Sequence, residues 1–389
     1  MKMANMDDYF DVVIVGTGAA GLYCALNLPA RYRILLLTKQ KADESDSFLA
    51  QGGICMQHGE ADYRPFFDDT MRAGHYENNP ATVDLMIRSS NSIIRDLVRR
   101  GVSFARDDHG ALRFTREGAH SRPRILFHED ITGHEITQTL LNEVLRCENI
   151  ELREHTTLLD FFADASACGG VIAGPDGEPR AIGAGAVVLA CGGIGGLYKN
   201  STNFPHITGD AIAMALRHGV ACEHLDYIQI HPTTLYSHRK GRRFLISESV
   251  RGEGALLLDK NGNRFTNELQ PRDVVSAAIR AQMEKDGTDH VWEDMRPIGE
   301  AAIREHFPNI LERCEEEGYD PIHEPIPVVP AQHYFMGGIT ADLSSRTALP
   351  RLYACGETCC NGVHGRNRLA SNSLLESLVF AQRAADDIL

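Results

Sequence analysis

Two groups of residues in this sequence could carry chemistry. Gly16-x-Gly18-x-x-Gly21 ends the apolar run DVVIV of residues 11–15 and opens a stretch that reads as a helix. At such a junction the first glycine makes the turn, the second lets a pyrophosphate approach the backbone, and the third allows close helix packing. The free N–H groups of the helix N-terminus then face the phosphates. Alone the motif is weak, because glycine-rich turns also occur in folds that bind nothing. The second group centres on Arg272. Pro271 marks the first turn of a helix, so Arg272 stands at the positive end of the dipole, where a cation is disfavoured by roughly 0.3–1 kcal/mol. Asp273 is the residue expected there, and a tolerated misfit beside it points to function.

The elements that must position these groups alternate. Residues 11–22 read as strand, glycine turn and helix, and residues 33–38 (RILLLT) as the next strand. Residues 185–193 (GAVVLACGG) and 352–357 (LYACGE) are two further strands that run into glycines. A helix is expected over 79–101, with Pro80 in its first turn, an apolar face of Val83, Met86, Ile87, Ile94, Leu97 and Val98, and Gly101 as its stop. A second runs over about 134–146. A third runs from Ser373 to the end, opened by the capping-box spacing Ser373-x-x-Glu376. The alternation predicts an α/β class with a doubly wound, Rossmann-like sheet. Residues 228–335 carry scattered His, Arg and Pro and charged helices. They are expected to form an inserted α+β capping domain, leaving 1–227 and 336–389 as a discontinuous cofactor domain. The acidic residue expected about 20 positions after the glycines, to hold a ribose, is replaced by Lys39. That weakens a nicotinamide reading. Three strand-to-glycine junctions fit one long cofactor across the sheet, FAD.

Composition sets the outer limits. At 389 residues the chain is expected to hold two domains, and 43% apolar with 24% charged residues is ordinary globular composition. A net charge of −14 argues against nucleic acid or an anionic membrane as a partner of the whole surface. It leaves room for a small anion in a local basic pocket. No segment approaches about 18 uninterrupted apolar residues. The N-terminus MKMANMDDYF lacks a basic region followed by a long apolar one, so a cytoplasmic location is expected. The ten cysteines are scattered, and the cluster Cys355, Cys359 and Cys360 has no CxxC pair. Buried reduced thiols and no metal are expected.

The motifs DVVIVGTGAAGL, FLAQGGI (48–54), VVLACGGIGGLY (187–198), TGDAIAMA (208–215) and LYACGE followed by GRNRLASNSLLE (365–376) keep one order along the chain. In these the chain resembles the succinate dehydrogenase/fumarate reductase flavoprotein family. The resemblance implies that FAD is contacted by Gly16, Thr17, Gly18, Ala19, Ala20, Lys39, Ser47, Phe48, Leu49, Ala50, Gln51, Gly52, Gly53, Asp210, Glu357, Ser373 and Leu374. In the family's succinate dehydrogenases a histidine five residues before the Gln of the AQGG motif bonds covalently to the flavin. Here that position is Asp46, so FAD is expected to be held non-covalently, as in the aspartate-oxidising branch.

The same resemblance implies a dicarboxylate site of His231, Arg272, His333 and Arg368, supported by Ser247, Glu248 and Ser371. Arg272 is expected to transfer the proton. With a reference pKa above 12 it needs help from neighbours. Glu117 in TREGAHS is expected to face a substrate ammonium, since aspartate differs from succinate by one cation and one added carboxylate distinguishes them. The residues alone leave open an exposed Glu117 paired with Arg116 or Arg122. The implied reaction is oxidation of L-aspartate to iminoaspartate, with oxygen (giving hydrogen peroxide) or fumarate as acceptor and quinolinate synthase as the next enzyme of NAD biosynthesis. The rivals are a soluble fumarate reductase or succinate dehydrogenase flavoprotein, which Asp46 and Glu117 count against, and a non-enzymatic flavin scaffold, which has no need of four cationic groups. Many aspartate-oxidising members continue into a C-terminal helical domain; this chain ends at Leu389.

Overall fold

The computed structural model describes residues 8–163, 167–175, 178–238 and 241–389. Its largest element is a seven-stranded sheet. Tyr9–Val15 lies between Ile34–Leu37 and Arg180–Leu189, parallel to both, and Ile150–Arg153 pairs parallel with Ile34–Leu37. Leu352–Ala354 pairs parallel with the end of Arg180–Leu189. Ile34–Leu37 is buried at every position, the reason such central strands read as unbroken apolar runs. The expectation missed Thr156–Ala163 and Cys168–Pro175, which extend the sheet antiparallel beyond Arg180–Leu189. Their half-buried faces and the glycines 169, 170 and 174 gave no continuous apolar signal.

The register places Val15 opposite Leu189 and Leu189 opposite Ala354. The three strand-to-glycine junctions therefore open side by side at one edge of the sheet. Gly16 has φ +114°, and a Cβ there would meet the Ala190 carbonyl oxygen at 2.0 Å. A Cβ on Gly21 would meet the Gly16 oxygen at 1.9 Å, so helix Ala19–Asn27 packs closer to the turn than any side chain allows.

Helix Pro80–Arg100 has the expected punctuation. Asn79 Oδ1 accepts from the Ala81 N–H at 3.0 Å, and Gly101 closes it at φ +104°. The second helix spans Thr132–Val144, starting and stopping two residues before its expected limits. The terminal helix, Asn372–Ile388, corrects the capping-box expectation. Ser371 holds the cap position at φ +60° without a side-chain cap bond. Ser373 Oγ instead accepts from Arg368 Nη1 at 2.7 Å, and Glu376 takes Asn361 Nδ2. Two buried donors from the preceding loop need acceptors more than the helix end needs a cap.

Residues 228–335 hold a four-stranded antiparallel sheet in the order Ile228–Leu235, Ile326–Phe335, Val291–Asp294, Leu256–Leu258. Helix Arg272–Asp286 packs on it, and Leu235, Val250, Ile279, Phe307, Ile310 and Val328 belong to one apolar cluster there. Asp130 reaches across to take the Ile310 N–H and Asn309 Nδ2, both at 2.7 Å. His75 Nε2 lies 2.9 Å from Asp273 Oδ2, and the Ala119 N–H donates to the Leu269 oxygen at 3.0 Å.

One buried ionic node pins the loop that carries residues 117–124. Arg124, with no exposed surface, donates to Asp62 at 3.0 Å and Asp69 at 2.8 Å. Its Nη1 also donates to His120 Nδ1 at 2.8 Å, leaving Nε2–H of that ring for the Ala370 oxygen at 3.0 Å. Burial, then the adjacent guanidinium, holds His120 down at about 4, so the ring is neutral. Asp69 also takes the N–H and hydroxyl of Ser121, both at 2.7 Å. Removing one partner of such a pair strands buried charge at a cost of about 3–5 kcal/mol. Arg124→Met is expected to lose that much in urea unfolding at pH 7. A loss under about 1 kcal/mol would show that the node does not hold the loop.

Candidate active site

A cleft of about 1650 Å³ runs from the glycine turn to the second sheet. Of the residues expected to contact the cofactor, all line it except Ala19 and Phe48. The Ala19 N–H is taken by Ser47 Oγ at 3.0 Å, and Phe48 turns into the core against His134. Lys39 Nζ donates to Asp210 Oδ2 at 2.8 Å, Thr208 Oγ1 at 3.2 Å and the His206 oxygen at 3.2 Å. The carboxylate missing after the second strand is thus present in space as Asp210, at the start of helix Asp210–Arg217.

The wall fits FAD. The glycine cradle at Gly16–Gly21 is closed to side chains, and the N-termini of helices Ala19–Asn27 and Asn372–Ile388 both reach the cleft. Ser45 Oγ and Gln51 Oε1, both lining it, are buried without a hydrogen-bond partner among the described residues. Glu357 accepts from the Phe335 N–H at 2.8 Å, and a Cβ on Gly193 would meet its Oε1 at 2.4 Å. Asp46 Oδ1 accepts from the Phe204 N–H at 2.8 Å.

The expected substrate residues gather at the other end of the same cleft. Strands Ile228–Leu235 and Ile326–Phe335 carry His231 and His333, whose rings meet edge-on with centroids 5.0 Å apart. Arg272 is the first residue of its helix, as expected. Its Nε donates to Glu248 and its Nη1 to Gln229 Oε1 at 2.9 Å. The Arg368 guanidinium stacks 4.3 Å over the Tyr334 ring. His231 Nε2 and Arg368 Nε have no hydrogen-bond partner among the described residues.

The electrostatics correct the idea of four cations. Burial, then Arg272, drives both His231 and His333 well below the usual imidazole range, so both rings are neutral. The cations are Arg272 and Arg368, the latter pulled down to about 10 by burial and then by Arg272. Glu117 also departs from one of its two sequence readings. It is buried at 2% exposure with neither Arg116 nor Arg122 as partner; its oxygens accept from Ser249 Oγ at 2.8 Å and Ser371 Oγ at 2.6 Å. A Cβ on Gly52 would meet Glu117 Oε1 at 2.4 Å, so the AQGG glycine is what admits this carboxylate.

Sequence reasoning missed Ser249, Thr202, Arg242 and Tyr334. Thr202 Oγ1 lies 2.7 Å from His333 Nδ1, and Arg242, a solvent-exposed side chain, lines the cleft near Asp46. The basic run RKGRR over 239–243 was a signal for Arg242, but nothing in it marks which of its cations turns inward. All ten cysteines are free thiols; seven are buried, while Cys147, Cys191 and Cys222 are only half-buried, short of the burial expected. Cys360 stands within 4.8 Å of Glu223 and His224, but those two are exposed and burial pushes the thiol up to about 11, the protonated rather than the metal-ready state.

Four buried carboxyls are pushed up chiefly by desolvation: Asp46 and Glu376 to about 7, Glu293 and Glu357 to about 8. Each titrates near 4 when unfolded. Their contribution to stability is therefore complete below about pH 4 and is lost as pH rises through 7–8. The buried thiols, raised by desolvation, add to the same fall as their unfolded counterparts ionise toward about pH 8.5. Melting of the FAD-free protein is expected to fall from pH 7 to pH 8.5, and Glu293→Gln, outside the cleft, to reduce that fall. A flat profile in the parent protein would contradict it.

The site can be compared with known proteins. A family model described as an FAD binding domain matches residues 11–374. The L-aspartate oxidase of Clostridium perfringens is 48% identical over 379 residues, covering 97% of this chain and 86% of its own length. That of Clostridium acetobutylicum is 47% identical over 379 residues, covering 97% and 87%. Among solved structures, E. coli quinol fumarate reductase FrdA matches with a TM-score of 0.91 at 33% identity, over 98% of this chain and 70% of its own. By these likenesses the chain belongs to the L-aspartate oxidases, FAD-dependent oxidoreductases that share the fumarate reductase flavoprotein fold.

Proposed function

We propose that the protein oxidises L-aspartate to iminoaspartate at this cleft, and that the observation carrying the reading is Glu117, a buried carboxylate facing a site otherwise built for anions. When bound, FAD would supply the two-electron acceptor for the substrate hydride, with oxygen (giving hydrogen peroxide) or fumarate as the final acceptor. Gly16, Thr17, Gly18, Ala20, Lys39, Ser47, Gln51, Gly52, Gly53, Asp210, Glu357, Ser373 and Leu374 would hold it, and Asp46 leaves it unlinked.

The chain's own residues would bind, orient and move the proton. Arg368 offers its free Nε–H to one substrate carboxylate. His333 joins it, since a hydroxyl hydrogen from Thr202 on Nδ1 leaves Nε2–H as a donor. His231 does the same for the other carboxylate when Nδ1 accepts from the Thr233 N–H, 3.2 Å away. Neutral rings suit this role: they donate without adding charge beside Arg272. Ser247 adds a hydroxyl at the wall. Glu117 takes the substrate ammonium.

Arg272 would receive the substrate proton. Its Nε–H is already committed to Glu248, whose Oε2 lies 3.7 Å from Arg251 Nη2. A proton arriving at one guanidinium nitrogen leaves from another to Glu248, so Arg272 never has to rest neutral. Burial raises Glu248, but Arg272 and Arg251 outweigh it and hold the carboxyl low, ready to accept. Residues 228–335, which carry His231, Arg272 and His333, are read as a cap over the cofactor unit of 1–227 and 336–389. Family membership supports a cytoplasmic reaction that opens NAD biosynthesis, with quinolinate synthase consuming the product. Among the described residues no helix is long and apolar enough to cross a membrane.

Removing one partner of a buried charge pair costs about 2–5 kcal/mol, or about 30-fold and upward. Glu117→Gln is therefore expected to lower kcat/KM for L-aspartate, relative to fumarate reduction by the same variant, by at least about 30-fold. Equal losses in both would remove the ammonium assignment and favour a fumarate reductase. Acid precipitation of the FAD-loaded protein is expected to leave all flavin in the supernatant. Flavin in the pellet would overturn non-covalent binding.

A further inference from the structure

Glu117 is held by two hydroxyl groups, and both have their direction fixed from behind. A serine hydroxyl has one hydrogen to give. Ser371 Oγ accepts from the Gly53 N–H at 3.1 Å, and its own hydrogen goes to Glu117 Oε2. Ser249 Oγ lies 3.2 Å from Ser247 Oγ, which can donate to it, and 2.8 Å from Glu117 Oε1, to which it donates. The short helix Glu248–Gly252 sends successive side chains to different partners: Glu248 to Arg272, Ser249 to Glu117. Ser249 itself does not line the cleft. It stands behind the carboxylate.

The two hydroxyls oppose a strong tendency. Glu117 is pushed up by burial first and by Glu248 second, while Ser371, Arg272 and Ser249 pull it down. The Cys55 thiol also lies close enough to feel Glu117, and burial holds it protonated. A neutral carboxyl would lose the charge-assisted strength of both hydrogen bonds, turn one of its two oxygens into a donor, and offer an ammonium ion no charge. Hydrogen bonds to charged groups are worth about twice those between neutral ones, so each hydroxyl matters most when Glu117 is ionised.

We propose that Ser249 is a specificity-determining positioning residue: its hydroxyl, oriented by Ser247, keeps Glu117 an ionised, aimed carboxylate, and thereby sets the preference for a dicarboxylate bearing an ammonium over one without it. This rests on Glu117 as the ammonium partner. It adds a residue that no motif marked.

The test compares Ser249→Ala, Ser249→Thr and Glu117→Gln, as FAD-loaded enzymes with unchanged melting temperatures. Dye-linked oxidation of L-aspartate and of succinate is followed from pH 5.5 to 9. Ser249→Ala is expected to lower the aspartate-to-succinate ratio of kcat/KM about tenfold, mainly through KM for aspartate. Losing a donor to the carboxylate raises its pKa, so the acid limb of the aspartate profile moves up by about one pH unit. The succinate limb is the internal reference. Ser249→Thr, which keeps the hydroxyl, restores both. If Ser249→Ala leaves ratio and limb in place while Glu117→Gln abolishes the preference, the Ser249 proposal fails and the Glu117 reading stands. Equal losses on both substrates, with no shift of the limb, would likewise sink it by assigning Ser249 a structural role. If Glu117→Gln itself leaves the ratio unchanged, the underlying reading fails with it.

Discussion

The site depends on the ion pair between Arg272 and Glu248. Both side chains are buried, at 7% and 3% exposure, where an unpaired charge is costly. Pairing lets each stay ionised. The charge of Arg272 then reaches its neighbours: together with burial it denies His231 and His333 their protons and lowers Arg368. Glu248, held ionised, raises Glu117 in turn. Two carboxylates in one cleft are pushed apart, one held ionised and one left sensitive to its hydrogen-bond donors, a common way for one site to assign different tasks to like groups.

That arrangement needs backbones closer than side chains permit. Glu117 approaches the flavin loop because Gly52 has no Cβ, and Glu248 approaches residues 117–118 because Gly118 has none; a Cβ there would meet Glu248 Oε1 at 2.3 Å. The loop is anchored seven residues on by Arg124 between Asp62 and Asp69. Charge placement at the substrate end thus rests on a second, wholly structural ion cluster outside the cleft.

Much of the fold was legible. The strands at 9–15, 34–37 and 180–189 are apolar because both faces are covered, and helix Pro80–Arg100 carries its own start and stop signals. The antiparallel pair at 156–175 was not legible, since its pattern is broken by glycine and partial exposure. Nor was the false capping box: Ser373 and Glu376 have the right spacing, but that spacing says nothing about buried donors arriving from Arg368 and Asn361. At the site, motifs located Arg272, His231, His333, Arg368 and Glu117 because each sits in a recognisable run. Ser249, Thr202 and Tyr334 are ordinary residues in ordinary runs.

By itself the sequence determined which groups exist and which local geometry surrounds them: a glycine turn before a helix, an arginine at a helix start, no histidine at position 46. Those depend on neighbours a few residues away. Only the tertiary structure decided protonation and partnership. Lys39 meets Asp210 across 171 residues and Ser371 meets Glu117 across 254, and two histidines that read as cations are neutral. The reason is that charge state follows desolvation and distance, and both are properties of the packed molecule rather than of the order of residues along it.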